Sequence, residues 1–264
     1  MDYDHYRAID FRRDQAVLHV TLNRPDTLNA IDDDLDEDLS HLFEDIAGDR
    51  DTRVVVLTGA GRAFSAGGDI ESMQQLIDEP QRFLNGIARG KRLIFSLLDC
   101  PQPVIAKING PAMGLGATLA LFCDVSFATR EALIGDPHVK VGFVAGDGGA
   151  VIWPQLIGYA RAKEYLLTGK SLTGEEAARI GLINHAVAAG ELDGAVDEFA
   201  QRLARGAARA IQWTKLAINI GLKQLAHSIL DASFAYEALS NQTTDHREAV
   251  DAFREKRKPR FTGE

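Results

Sequence analysis

An alternating α/β fold is predicted by three features of this 264-residue sequence. Short, wholly apolar runs such as Val54-Val55-Val56-Leu57 and Val104-Ile105-Ala106 read as strands buried on both faces. Segments whose apolar residues recur at helical spacing lie between such runs. Small, glycine-rich turns at 65–68 and 114–116 stand where a strand-like run gives way to a helix.

In chain order, Val17-Leu18-His19-Val20-Thr21-Leu22-Asn23 alternates as a strand and Asn23-Arg24-Pro25-Asp26 breaks it. A helix is predicted over 31–46, where Leu35, Leu39, Leu42, Phe43 and Ile46 recur at steps of three and four and acidic residues fall early, where they suit the helix dipole. Residues 54–59, 104–110 and 125–128 supply further strands. Thr173-Gly174-Glu175-Glu176 has the spacing of a capping box, and Gly181 can end the following helix in a left-handed turn. From about Leu192 onward the chain reads as helices. With no strict repeat or proline-rich linker, the expected division is an α/β core over 1–200 and a helical region over 201–264.

Composition narrows the function. The formal charge of −9, with basic residues scattered until 254–260, argues against nucleic-acid binding. No apolar run reaches the roughly 20 residues of a membrane span, and the polar start is unlike a signal peptide, so a cytoplasmic protein is expected. Cys100 and Cys123 have no metal-ligand spacing, and neither they nor any metal is assigned a role.

The two glycine-rich turns carry the chemistry. Ala63-Phe64-Ser65-Ala66-Gly67-Gly68-Asp69-Ile70 and Asn109-Gly110-Pro111-Ala112-Met113-Gly114-Leu115-Gly116-Ala117-Thr118 can each aim backbone N–H groups at one developing negative charge, as an oxyanion hole does. Asp69 reads most simply as a helix cap.

These segments resemble the crotonase superfamily, also called the enoyl-CoA hydratase/isomerase family. The resemblance also rests on Asn23-Arg24-Pro25, Leu28-Asn29-Ala30, Pro103-Val104-Ile105-Ala106, Cys123-Asp124, Leu167-Thr168-Gly169, Gly181-Leu182-Ile183 and the ending Ala252-Phe253-Arg254-Glu255-Lys256-Arg257-Lys258-Pro259. It implies a spiral of strand-strand-helix turns, a C-terminal helical region that packs homotrimers or a dimer of trimers, and a coenzyme A thioester as substrate with no permanently bound cofactor. It implies that the backbone N–H groups of Ala66 and Leu115 hold the thioester oxygen. It further implies that Arg24, Ala63, Phe64, Ser65, Gly67, Gly68, Asp69, Ile70, Gly114, Phe253 and Lys256 serve substrate and coenzyme A binding. Met73, Leu76, Ile77, Phe83 and Leu84 are the expected acyl-pocket residues.

Family members that hydrate enoyl thioesters resemble one another in two glutamates; here those positions hold Thr118 and His138. A threonine hydroxyl orients groups but is no general base at neutral pH, whereas an imidazole carries a proton either way. Asp147, within Gly146-Asp147-Gly148-Gly149, is the next carboxylate and makes a candidate pair with His138. The other histidines, His246 among them, are read as packing or solvent contacts. The leading expectation is an enoyl-CoA hydratase/isomerase-type enzyme working through an enolate with His138, Asp147 and Thr118. The His and Asp also resemble the branch of the superfamily that cleaves β-diketones without coenzyme A, and a catalytically silent acyl-CoA binder is the third alternative.

Overall fold

The computed structural model describes residues 2–264. Strands β1 (Ile9–Asp14) and β2 (Val17–Leu22) pair antiparallel through a tight turn. Helix α1 (Asp33–Gly48) then carries the chain back to β3 (Val54–Gly59), which lies parallel to β2. All the apolar positions predicted for this helix are buried, but it begins at Asp33 and not at residue 31. The reason is local. Asp32 accepts a hydrogen bond from the Leu35 N–H and so caps the helix, while Ile31 is drawn into a bridge with Gly68.

Helices α2 (Ile70–Asp78) and α3 (Pro80–Asp99) connect β3 to β4 (Val104–Ile108). They are separated at Glu79, whose backbone leaves the helical region because a proline follows it. A two-residue strand β5 (Ala112–Met113) leads into α4 (Leu115–Phe122), followed by β6 (Val125–Thr129), β7 (Leu133–Gly135) and α5 (Gly149–Thr168), which is kinked at Gly158. Next come β8 (Leu172–Thr173), α6 (Gly174–Ile180) and β9 (His185–Val187). The Thr173/Glu176 capping box is formed in full, and Gly181 closes α6 at φ 82°. Helices α7 (Leu192–Ala204), α8 (Ala208–Ser240) and α9 (Thr244–Arg254) complete the chain.

The main sheet has the order β1-β2-β3-β4-β6-β9 and is parallel from β2 onward; β5, β7 and β8 form a second, smaller sheet. Strand β3 is buried along its whole length, as its unbroken apolar run requires. Its alternate residues explain this: Val55 and Leu57 face the main core with Leu39, Phe43 and Ile94, while Val54 and Val56 face α7 through Leu192 and Val196. The long α8 is anchored to the body by buried polar contacts. The Lys215 ammonium meets Asp124 at 2.8 Å and the Gln102 carbonyl at 2.9 Å, and Asn219 donates to the Leu98 carbonyl at 2.9 Å.

Asn29 holds the first glycine-rich turn in place. Fully buried and left-handed (φ 56°), it donates to the carbonyls of Ala63 at 2.9 Å, Ala60 at 3.0 Å and Phe64 at 3.2 Å. Asn29→Ala strands these carbonyls and leaves a side chain less tolerant of positive φ, so it should lower unfolding stability by about 3 kcal/mol in urea titrations. A loss under about 1 kcal/mol would show that water replaces the amide.

Candidate functional site

The two glycine-rich turns meet. Met113 donates its N–H to the Ser65 carbonyl at 2.9 Å, bridging the strand ends. Gly67 (φ 86°) lies so close that a Cβ there would come within 2.7 Å of the Met113 carbonyl oxygen. Gly114 (φ 51°) has a conformation that side chains rarely adopt, and a Cβ on it would sit 3.4 Å from Cε1 of His138. Both turns and the imidazole therefore border one point.

Leu115 opens α4, so its N–H belongs to the first turn, where no intrahelical carbonyl is available, and Gly114 offers no side chain to cap it. The Ala66 N–H differs from expectation. It donates to the Leu28 carbonyl at 3.0 Å, because the left-handed Leu28 and Asn29 turn that carbonyl toward it. The expected pair of open donors is thus one open donor and one engaged.

Thr118, His138 and Asp147 converge although 29 residues separate the first and last. The Thr118 hydroxyl donates to Asp147 Oδ1 at 3.3 Å, and His138 Nε2 lies 3.4 Å from Asp147 Oδ2. The other imidazole nitrogen, Nδ1, is hydrogen-bonded to Asp136 Oδ1, two residues back across Pro137. All four side chains are buried. Burial by itself would depress the His138 pKa, but Asp136 and then Asp147 outweigh it and hold it up to about 10, so the ring is an imidazolium at neutral pH. Burial raises the pKa of Asp147, opposed by that imidazolium. Burial also pushes Glu237 of α8 well above the usual carboxylate range, with Asp147 adding to the effect.

Asp136, His138 and Asp147 each offer a ligand atom within 4.8 Å of the others. Nδ1 of His138 is hydrogen-bonded to Asp136 and Nε2 makes an ion-pair contact with Asp147, so the three side chains form an Asp–His–Asp relay.

A cavity of about 160 Å³ opens beside this relay. Leu115, His138 and Asp147 border it, Met73, Leu76 and Phe83 supply apolar wall, and Gly68 and Asp69 lie at its margin. Asp69 is also the α2 cap, accepting from the Glu71 and Ser72 N–H groups. Other expectations need correction. Ile77 is turned into the protein and Leu84 is half exposed, on faces of α2 and α3 that miss the cavity. Ala63, Phe64 and Ser65 are fully buried; Phe64 fills the core, and Ser65 donates its hydroxyl to the Asn29 carbonyl at 2.8 Å. They shape the turn from behind. Arg24 is occupied by Asp32, at 2.7 Å, and by the Ala30 carbonyl. Ile70 opens α2, and Phe253 and Lys256 stand on the surface away from the cavity.

Four site residues escape the sequence reading: Asp136, Glu237, Asn241 and His246. Asp136 had a signal, since it sits in the Gly-Asp-Pro-His segment that carries His138. The others lie at the end of α8 and the start of α9, and only the docking of those helices brings them to the cavity. His246 does pack as expected, its ring stacked on Phe143 at 4.6 Å, yet it also lines the cavity.

A family model described as enoyl-CoA hydratase/isomerase matches residues 12–264. The chain belongs to the enoyl-CoA hydratase/isomerase family. Among solved structures of this family, an enoyl-CoA hydratase/isomerase from Mycobacterium paratuberculosis is 37% identical and superposes with a TM-score of 0.90 over 94% of this chain and 99% of that one. The short-chain-enoyl-CoA hydratase of Clostridium acetobutylicum is 35% identical across 93% of this chain and 94% of its own length. The 1,2-epoxyphenylacetyl-CoA isomerase of Escherichia coli is 34% identical across 95% of this chain and 96% of its own. The structural match establishes a crotonase-type mixed α/β fold with a helical C-terminal region.

The relay has a pH signature. A histidine whose folded pKa lies above its unfolded value near ~6.5 adds stability that is full below ~6.5 and is lost as pH rises through about 10. The melting-temperature advantage of the protein over His138→Gln should therefore shrink steadily from pH 6.5 to 10. A gap that is constant or widens over that interval would mean that His138 is neutral in the folded protein.

Proposed function

We propose that this protein is an acyl-CoA enzyme that forms and reprotonates a thioester enolate. What supports this most is the meeting of the Asp147–His138–Asp136 relay with the junction of the two glycine-rich turns. In this reading the thioester oxygen lies against the N–H groups of Leu115 and Ala66, the latter shared with or released from the Leu28 carbonyl. Asp147, whose pKa burial raises and the adjacent imidazolium and Thr118 only partly pull back, is the stronger base for it and in its carboxylate form removes the proton α to the carbonyl. His138 stabilises the carboxylate and delivers a proton from Nε2, while Asp136 holds its orientation through Nδ1.

Thr118 and His138 stand where family hydratases carry glutamates, so this site has no glutamate pair to activate and deliver water. Isomerisation or another α-proton transfer is favoured over fast hydration. The coenzyme's phosphates would meet exposed Lys256 and Lys258, since Arg257 is taken up by Glu248, at 2.8 Å, and by Glu255. Trp213 and Ile218, 64% and 72% exposed on α8, form part of an apolar surface suited to the trimer contacts of this family, singly or as a dimer of trimers. No described helix is long and apolar enough to cross a membrane.

The reaction reads out in deuterated water. A short saturated acyl-CoA should gain deuterium at its α-carbon, and Asp147→Asn should slow this by about 10²–10⁴-fold. The rate should fall at low pH as Asp147 protonates and decline again only toward pH 10 as His138 loses its proton. Exchange that is indifferent to Asp147→Asn would overturn the assignment of the base. Crotonyl-CoA hydration should be slow; rapid turnover unaffected by His138→Ala would reject the relay.

The second reading, hydrolysis of a carbon–carbon bond in a β-diketone, draws on the same buried His/Asp relay, which could activate water against a carbonyl. Turnover of a cyclic diketone without coenzyme A, and no exchange on acyl-CoA, would favour it over the first.

A further inference from the structure

Three polar atoms on residues lining the cavity have no partner among the described residues, and two of them, on Asn241 and His246, are acceptors. Asn241, 1% exposed at the end of α8, donates through Nδ2 to the Leu76 carbonyl at 2.9 Å. A carbonyl only accepts, which fixes the amide's orientation and leaves Oδ1 as the unpaired atom. His246, fully buried in the first turn of α9, places Nδ1 2.6 Å from the Val141 carbonyl. The proton must therefore sit on Nδ1. Burial, reinforced by the His138 and Arg247 charges, depresses its pKa despite the Val141 bond, so the ring is neutral and Nε2 is a bare lone pair. Glu237, one turn before Asn241, adds a third unpaired atom, Oε2, on a residue lining the same cavity.

Native proteins rarely leave buried polar atoms unsatisfied, because the lost hydration is not recovered. Oδ1 of Asn241 and Nε2 of His246 cannot satisfy each other, since neither carries a proton. Rotation offers no escape. The imidazole is pinned between the Val141 bond and the Phe143 ring, which in turn meets Phe83 edge-on at 5.8 Å. A guest that brings a donor would satisfy one of these acceptors, within a wall that is largely apolar at Met73, Leu76, Phe83, Ile87 and Phe234 but also holds Asp69, Arg82 and Arg89. An ammonium would have to shed its hydration for two neutral acceptors, whereas a hydroxyl gives up far less. At about 160 Å³ the cavity matches the ~150 Å³ that accepts a benzene-sized guest, so the group it takes has about six carbons.

We propose that the acyl group accepted here carries a hydroxyl at its far end, donated to Asn241 Oδ1 or His246 Nε2. This rests on the acyl-CoA reading above and assigns Asn241 and His246 to substrate specificity.

Calorimetric titration with hexanoyl-CoA and 6-hydroxyhexanoyl-CoA tests it, on the unaltered protein and on Asn241→Leu and His246→Phe. The hydroxylated thioester should bind the unaltered protein about tenfold more tightly, and at least one substitution should bring the ratio within about twofold of unity. Equal binding of the two thioesters, or tighter binding of hexanoyl-CoA, would overturn the proposal, as would a hydroxyl preference that survives both substitutions. Binding of neither thioester would instead remove the acyl-CoA reading, and this one with it. If Asn241→Leu loses its cooperative melting transition, His246→Phe, which keeps a ring against Phe143, carries the comparison.

Discussion

The contact between Gly67 and the Met113 carbonyl is the constraint around which the site is organised. Two chain segments of different sheets can come this close only where neither has a side chain in the way. Once they meet, the start of α4 is set beside the start of α2. The Leu115 N–H and the cavity margin at Gly68 and Asp69 follow from that placement. Asn29 and Ser65 serve the same contact from behind, each donating to backbone carbonyls and accepting from a backbone N–H rather than facing substrate.

The relay depends on a second close approach. Gly146, just before Asp147, packs against α8, where a Cβ would meet the Ser233 carbonyl at 2.4 Å and the Glu237 carboxylate at 2.7 Å. Ser233 donates to the Gly146 carbonyl at 2.7 Å, and the Val144 N–H donates to Ser240 Oγ at 3.1 Å. The helical region is thus part of the site. It holds the Asp147 loop and supplies one wall of the cavity, so the acidity of Asp147 and Glu237 is tied to how α8 is seated.

Much of this was legible in the chain. The apolar runs gave β3 and β4, the three- and four-residue spacing gave α1, and the Thr173 capping box with Gly181 gave both ends of α6. These signals are local, carried by periodicity or by one cap. The break between α2 and α3 at Pro80 passed unread, as did the capture of Ile31 by Gly68, which shortened α1. In the site, Thr118, His138 and Asp147 were legible because they occupy motif positions. Glu237, Asn241 and His246 were not, because their spacing on α8 and α9 is that of any packed helix.

By itself, the sequence determined the alternating α/β class, the family, the two glycine-rich segments that precede α2 and α4, and the presence of Thr118, His138 and Asp147. Those are matters of residue type and short-range order. The tertiary structure alone decided that His138 is bracketed by two carboxylates and held protonated, that the Ala66 N–H is engaged by Leu28, and that α8 and α9 close the cavity with unpaired acceptors. Charge state and hydrogen-bond partnership depend on which distant groups share a buried space, and only packing settles that.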